Sequence, residues 1–275
     1  MQIEELRLKS VAYRKTVLEV IKQSGAGHTG GSLSCIDILN VLYNHVMNVS
    51  PNNFHDPNHD RYVQSKGHSV EALYTVLADK DFFPREALQT VERYQSPFIG
   101  HPTRHVNGIE QNTGALGHGL AVAVGMAIAG KKDGRPYRVF TLLGDGELAE
   151  GSNWEAAMTA SHYKLDNLIV IIDRNRLQIT GSTEAVNALE PLADKFCAFG
   201  MAVCECDGND LQALITTFEQ VPFEPGKPNL IIAHTIKGKG ISFMEDDVHW
   251  HHRVPNDAEY QAALSELTET EAGLK

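Results

Sequence analysis

Two side chains able to hold a hard cation close consecutive apolar runs in the stretch "RVFTLLGDGELAEGSNWEAAMTASHYKLDNLIVIIDRNRLQITG", residues 138 to 181. Asp145 lies within Gly144-Asp145-Gly146, directly after the first run, and Asn175 follows the second. If the two runs are neighbouring parallel strands, the carboxylate and the carboxamide stand side by side at their carboxyl ends, where open α/β sheets bind ligands. Both are oxygen donors, the type that Mg²⁺ or Ca²⁺ prefers, and Mg²⁺ held by so few protein ligands completes its shell with water and phosphate oxygens. The pair therefore points to a metal-bound phosphate ester. Read singly, an Asp and an Asn in two turns are ordinary turn residues.

The elements that must position this pair follow from the apolar pattern. Strands are expected over Arg138–Leu143 and Asn167–Asp173, with a helix from Asn153 to Tyr163 between them, opened by Ser152-Asn153-Trp154-Glu155 as a capping box. Strand Met201–Cys206, helix Asn209–Gln220 and strand Asn229–His234 repeat the unit. Strand–helix–strand at these lengths implies right-handed crossovers and a parallel sheet. Upstream, Ile3, Leu6, Tyr13, Val17, Val20 and Ile21 share one face of an amphipathic helix over 3–23. The glycines of "SGAGHTGGS" (24–32) end it, and the next helix is expected from Ser34 to Val46. "RYVQSKGHSVEALYTVLADK" reads as a short extended piece, a turn and a helix. "NGIEQNTGALGHGLAVAVGMAIAG" (107–130) reads as a glycine-rich loop leading into a helix of small apolar residues packed in the interior. The expected fold class is α/β: a doubly wound parallel sheet flanked by helices, one domain over 1–275 with an N-terminal helical extension and a C-terminal tail.

The 275 residues, 42% of them apolar, suffice for a large α/β core. A formal net charge of −11 and the lack of any Lys/Arg-rich block argue against a nucleic-acid surface. Anionic ligands stay open, because a pocket of backbone N–H groups does not depend on net charge. The longest near-apolar run, Leu120–Ala129, is too short to span a membrane, and the N-terminal residues carry no signal-peptide core. Cys35, Cys197, Cys204 and Cys206 form no Cys-x-x-Cys and read as small hydrophobes in a reducing compartment, so the expected location is the cytoplasm.

Gly144-Asp145-Gly146 followed by Asn175 resembles the thiamine-diphosphate signature. "SGAGHTGGS" at 24–32, "RYVQSKGHS" at 61–69, "IGHP" at 99–102, "GIEQNTGALGHGLAVAVGMA" at 108–127 and "TIKGKGISFMEDDVHWHHRVP" at 235–255 look like the ordered landmarks of transketolase. The resemblance is to the N-terminal, diphosphate-binding portion of that family, the thiamine-diphosphate-binding (PP-domain) fold. Full-length members continue with a pyrimidine-binding domain and a C-terminal domain, so the chain resembles the N-terminal subunit of a split transketolase.

The resemblance implies roles at matching positions. Asp145, the side chain of Asn175 and the carbonyl of Leu177 would ligate the divalent metal, Mg²⁺ with Ca²⁺ or Mn²⁺ as substitutes. Gly146 and His68 would meet the diphosphate. Gly114 and Leu116 would lie along the cofactor rings, where the missing Cβ of Gly114 permits close approach. Glu150 matches a glutamate at the subunit interface that links two cofactor sites. His28, His101 and His252 match histidines around the reactive carbon and the donor sugar, with His251 as the alternative to His252. Lys237 and Lys239 could touch phosphate or lie in a solvated loop. His45, His55, His59 and His105 are expected on the surface. His249, His251 and His252 lack the cysteines or carboxylate in register that a zinc site brings. Two positions depart from the family: Thr29 stands where proline is usual, and His118 where glutamine is common.

The implied activity passes a two-carbon ketol unit from a ketose (phosphate) donor to an aldose acceptor, with neutral imidazoles exchanging protons near pH 7. The implied partner is a C-terminal transketolase subunit carrying the pyrimidine-binding domain and the activating glutamate. Self-association would give a dimer of this chain within an α2β2 complex. The rival readings are the α-subunit of a thiamine-dependent 2-oxo acid dehydrogenase, a noncatalytic scaffold subunit of the same fold, and the synthase that joins pyruvate to glyceraldehyde phosphate. The first should lack the "SKGH" and "WHH" histidines. A scaffold has no need of Asp145, Asn175, His68 and His28. The synthase comes as one longer chain.

Overall fold

The structure is a computed structural model that describes residues 1–275. Its frame is one parallel sheet. The long strands are β1 (Arg61–Gln64), β2 (Val139–Gly144) and β3 (Leu168–Arg174), then, after the two-residue hairpin β4 (Leu177–Gln178) and β5 (Gly181–Ser182), β6 (Ala202–Asp207) and β7 (Asn229–His234). The sheet order is β1-β2-β3-β7-β6, with every neighbouring pair parallel. β2 and β3 are neighbours in register, Gly144 opposite Asp173, so Asp145 and Asn175 leave the sheet side by side, as the sequence analysis expects.

The helices are α1 (Ile3–Ser24), α2 (Thr29–Val41), α3 (Val70–Asp79), α4 (Gly119–Lys132), α5 (Gly151–His162), α6 (Thr183–Val186), α7 (Leu192–Ala198), α8 (Leu211–Glu219) and α9 (Asp257–Leu274). Side chains alternate across β3, which is buried throughout. Ile169 and Ile171 join a core with α1, α2, α3 and α8, while Leu168, Val170 and Ile172 join a second core with α4, α5 and α7. The N-terminal helices are thus a layer of the fold rather than an extension, and the tail is the ordered helix α9, whose Ala263 and Leu267 are buried.

Three further expectations are corrected. First, α2 begins at Thr29, not Ser34, with Gly30 and Gly31 in its first turn. These two glycines allow close approach instead of breaking the helix: a Cβ on Gly30 would lie 2.9 Å from the Trp250 carbonyl oxygen, and one on Gly31 would lie 3.1 Å from Ser69 Oγ. Second, α5 starts at Gly151 with Glu150 as its N-cap, and there is no Ser152–Glu155 capping box. The Ser152 hydroxyl instead donates to the Gly117 carbonyl at 2.7 Å. Third, α4 is buried on one side only. Leu120, Ala123, Val124 and Ala127 pack inward, while Ala121, Gly125 and Ala129 form an exposed stripe of small residues.

Candidate active site

At the carboxyl ends of β2 and β3 the chain opens into a cavity of about 320 Å³ lined by His28, Lys66, His68, Gly114, Leu116, Asp145, Gly146, Asn175, Leu177, Lys237 and His251, among others. These residues come from seven separate stretches of sequence, which the parallel topology delivers to one edge of the sheet.

The Asp145 carboxylate is held from three sides. Its Oδ1 accepts from the Gly146 N–H at 2.8 Å, and its Oδ2 accepts from the Arg176 N–H at 2.5 Å and from Arg174 Nη1 at 3.1 Å. Arg174 is itself fixed by Thr183, Glu184 and Glu190. A carboxylate offers about four lone-pair directions, so one remains. Asn175 Oδ1 accepts from the Leu177 N–H at 3.1 Å, and the Leu177 carbonyl accepts from Lys237 Nζ at 3.1 Å. A carboxamide or backbone oxygen has two lone pairs, so each of these also keeps one. Three hard oxygen donors with room for one more bond each fit a Mg²⁺-type cation whose remaining positions go to water and phosphate. The Lys237 ammonium stands in for such a cation on Leu177. Burial raises the Asp145 carboxyl above its ordinary range and neighbouring Asp173 adds to this, a cost that a bound cation would offset.

The floor beneath these donors is polar and buried. Lys66 pairs with Asp173, which also accepts from Ser34 at 2.6 Å and from Thr235. Glu147 accepts from the Gly117 N–H at 2.8 Å, from the Gly144 N–H at 3.1 Å and from Ser65. It thereby ties the Gly114–Leu116 loop to the Gly144-Asp145-Gly146 turn. Gly114 has φ 141, and a Cβ there would lie 2.8 Å from His101 Cδ2, so glycine is required by both conformation and space.

His28 is the centre of the imidazoles. Its ring centroid lies 5.0 Å from that of His68, 5.6 Å from His251, 4.6 Å from His252 and 6.5 Å from His101. Burial lowers His28 to about 4 and His251 to about 3, and it puts His68 well below its ordinary value, so all three are neutral at pH 7. Lys237 Nζ donates to His251 Nδ1 at 2.9 Å, which leaves the His251 proton on Nε2 facing away from the lysine. Burial, with Lys66 nearby, lowers Lys237 to about 8.

Of the residues that the sequence analysis singles out, the cavity wall takes His28, His68, Gly114, Leu116, Asp145, Gly146, Asn175 and Leu177. His101 packs over Gly114 just outside it. Glu150 is exposed and lies over Gly117, where a Cβ would come within 2.5 Å of Glu150 Cβ. His251 lines the cavity, whereas His252 is exposed, so the geometry favours the alternative of the two. Lys237 faces the cavity and Lys239 turns outward to Glu245 at 3.2 Å. His59, expected on the surface, is buried in contact with Glu110, because the 107–116 loop folds back over the start of β1. Sequence reasoning missed Lys66 and Glu147 altogether. Both sit inside the landmark motifs, Lys66 two residues before His68 and Glu147 directly after Gly146.

The departure at Thr29 has a structural use. Its hydroxyl donates to the Arg253 carbonyl at 2.7 Å, fastening the loop that carries His251 to the turn that carries His28.

Comparison with known families matches residues 7–267 to "Transketolase, thiamine diphosphate binding domain". An apulose-4-phosphate transketolase subunit of Phocaeicola vulgatus is 49% identical over 269 residues, covering 98% of this chain and 96% of that protein. A 6-deoxy-6-sulfo-D-fructose transketolase subunit of a Clostridium species is 43% identical over 264 residues, covering 96% of each. Among solved structures, transketolase from Campylobacter jejuni superposes with a TM-score of 0.84 at 29% identity, covering 100% of this chain and 48% of that one. The chain therefore spans about half the length of that structure.

Proposed function

The chain belongs to the transketolase family, through the thiamine diphosphate binding domain, and on that premise we propose that it is the diphosphate- and metal-binding subunit of a two-subunit transketolase. The observation that carries this reading is the convergence of the Asp145, Asn175 and Leu177 oxygens and the His28, His68 and His251 imidazoles on one cavity.

Thiamine diphosphate, when bound, supplies the carbanion chemistry of the reaction. Asp145, Asn175 and the Leu177 carbonyl would hold Mg²⁺, with Ca²⁺ or Mn²⁺ as substitutes. Gly146, His68 and Lys237 would meet the diphosphate, where glycine lets the backbone approach and the ammonium supplies charge. Gly114 and Leu116 would support the cofactor rings. His28 and His251, imidazoles kept neutral by burial, would take and return protons at the sugar hydroxyls, with His101 beside His28.

A ketose (phosphate) donor and an aldose acceptor fit this role, and the relatives' names carry a phosphorylated and a sulfonated sugar. Both relatives are named as one subunit among others, which supports a partner chain bringing the pyrimidine-binding domain and the activating glutamate. The exposed Ala121, Gly125 and Ala129 stripe supports self-association to a dimer within an α2β2 complex, with Glu150 at the interface. We take the 275 residues as one domain working in the cytoplasm, in carbohydrate metabolism. The imidazole cluster favours sugar chemistry over the 2-oxo acid dehydrogenase and scaffold readings.

Asp145→Ala tests the assignment. With the partner present, Mg²⁺-dependent binding of thiamine diphosphate, read by calorimetry, should be lost while the circular dichroism spectrum is retained. Unchanged affinity would contradict it.

A further inference from the structure

Glu71, the second residue of α3, is 2% exposed, yet it lies outside the cavity wall and takes no part in the chemistry proposed for it. Its carboxylate reaches the amino end of α2. Oε1 accepts the His28 backbone N–H at 3.3 Å, and Oε2 accepts from the Ser32 hydroxyl at 2.9 Å. Helix α2 has no acidic residue in its first turn and no side-chain cap of its own, so Glu71 serves its positive end from another helix. Gly27 makes the room: it has φ 144, and a Cβ there would lie 2.6 Å from Glu71 Oε1. Burial pushes the Glu71 carboxyl up to about 7, so stability alone gives little reason for an acid at this position.

We propose that Glu71 is a positioning residue for His28: by holding the His28 amide and the Ser32 hydroxyl, it sets the direction in which the His28 imidazole enters the cavity. The inference rests on the reading of His28 as the imidazole that faces the sugar. His28 is the N-cap of α2, with φ −115 and ψ 77, and its ring sits among four others at 4.6 to 6.5 Å. A rotation of this one peptide unit would swing the ring away from any bound sugar. A displacement of about 1 Å at a reacting group can lower turnover about a hundredfold.

The test compares Glu71→Ala, Glu71→Gln, His28→Ala and the Glu71→Ala/His28→Ala double variant, each with the partner chain. Glu71→Ala should lower kcat about tenfold to a hundredfold with the cofactor Kd unchanged. Glu71→Gln keeps an acceptor for the His28 amide and should recover most of the loss. In the His28→Ala background, Glu71→Ala should cost no more than about twofold. Additive losses, or a Gln variant no better than Ala, would overturn the proposal.

A second readout needs no turnover. In the full chain, NMR titration of the His28 ring should show it neutral down to about 4 in the wild type and in Glu71→Gln, and shifted back toward 6.5 in Glu71→Ala. Should Glu71→Ala fail to fold, Glu71→Asp, which withdraws the carboxylate by one methylene, takes its place with the same expectation. A ring that titrates like the wild type in the disruptive variant overturns the proposal whatever the complex does. A wild-type complex without transketolase activity, with the ring displaced as expected, would contradict the functional reading alone.

Discussion

The Lys237 ammonium lies 3.1 Å from the carbonyl oxygen of Leu177, one of the three oxygens offered to a metal, and the same ammonium donates to the His251 ring. One buried cation thus joins the metal shelf to the imidazole cluster. With a metal and a diphosphate bound as proposed, the Leu177 carbonyl would no longer need the ammonium, which would be free to donate to phosphate. Lys237→Met should therefore weaken thiamine diphosphate binding by about tenfold to a hundredfold, the size of one charge-assisted hydrogen bond. Calorimetry with Mg²⁺ and the partner chain reads this directly. An unchanged Kd would return Lys237 to a packing role.

The two adjacent histidines should separate in kinetics. His251 lines the cavity with a fixed tautomer, whereas His252 is exposed beside His28. His251→Ala should lower kcat about a hundredfold or more at nearly unchanged cofactor affinity, and His252→Ala should cost less than about tenfold. The reverse order would show that the ring facing the sugar is His252.

Acid should destabilise the chain through its buried imidazoles. His28 binds its proton at about 4 when folded, against an ordinary 6.5. Between those values the unfolded chain holds more protons, so stability rises with pH and is lost as pH falls from 6.5 toward 4. The thermal midpoint should drop across this window in the wild type and drop less in His28→Asn. Equal pH dependence in the two proteins would show that His28 is not held neutral.

The sequence makes the frame legible because apolar strands and their polar ends carry opposite signals. Leu168–Ile172 reads as interior, and the strand–helix–strand repeat makes Asp145 and Asn175 neighbours at one edge once the two runs pair, as β2 and β3 do. Glycine is harder to read, since Gly25 ends α1 with φ 73 while Gly30 and Gly31 sit inside α2 to admit Trp250 and Ser69. Buried charge is harder still. Lys66, Glu71 and Glu147 look like surface residues in sequence, and only the fold supplies the partners that let them stay inside. The choice between His251 and His252 turns on one short helical turn at Val248–Trp250 that spacing does not encode. The open side of α4 looks apolar enough to be interior, and in a single chain nothing covers it.

Under the proposed function this chain provides half of a transketolase site. The decisive measurement is aldose release from a ketose donor, followed in a coupled assay with saturating thiamine diphosphate and Mg²⁺, for the chain alone and after adding a partner chain with a pyrimidine-binding domain. No turnover by the chain alone and restored turnover with the partner is the predicted result. Substantial turnover by the lone 275-residue chain would contradict it, since the activating acid would then have to lie among these residues.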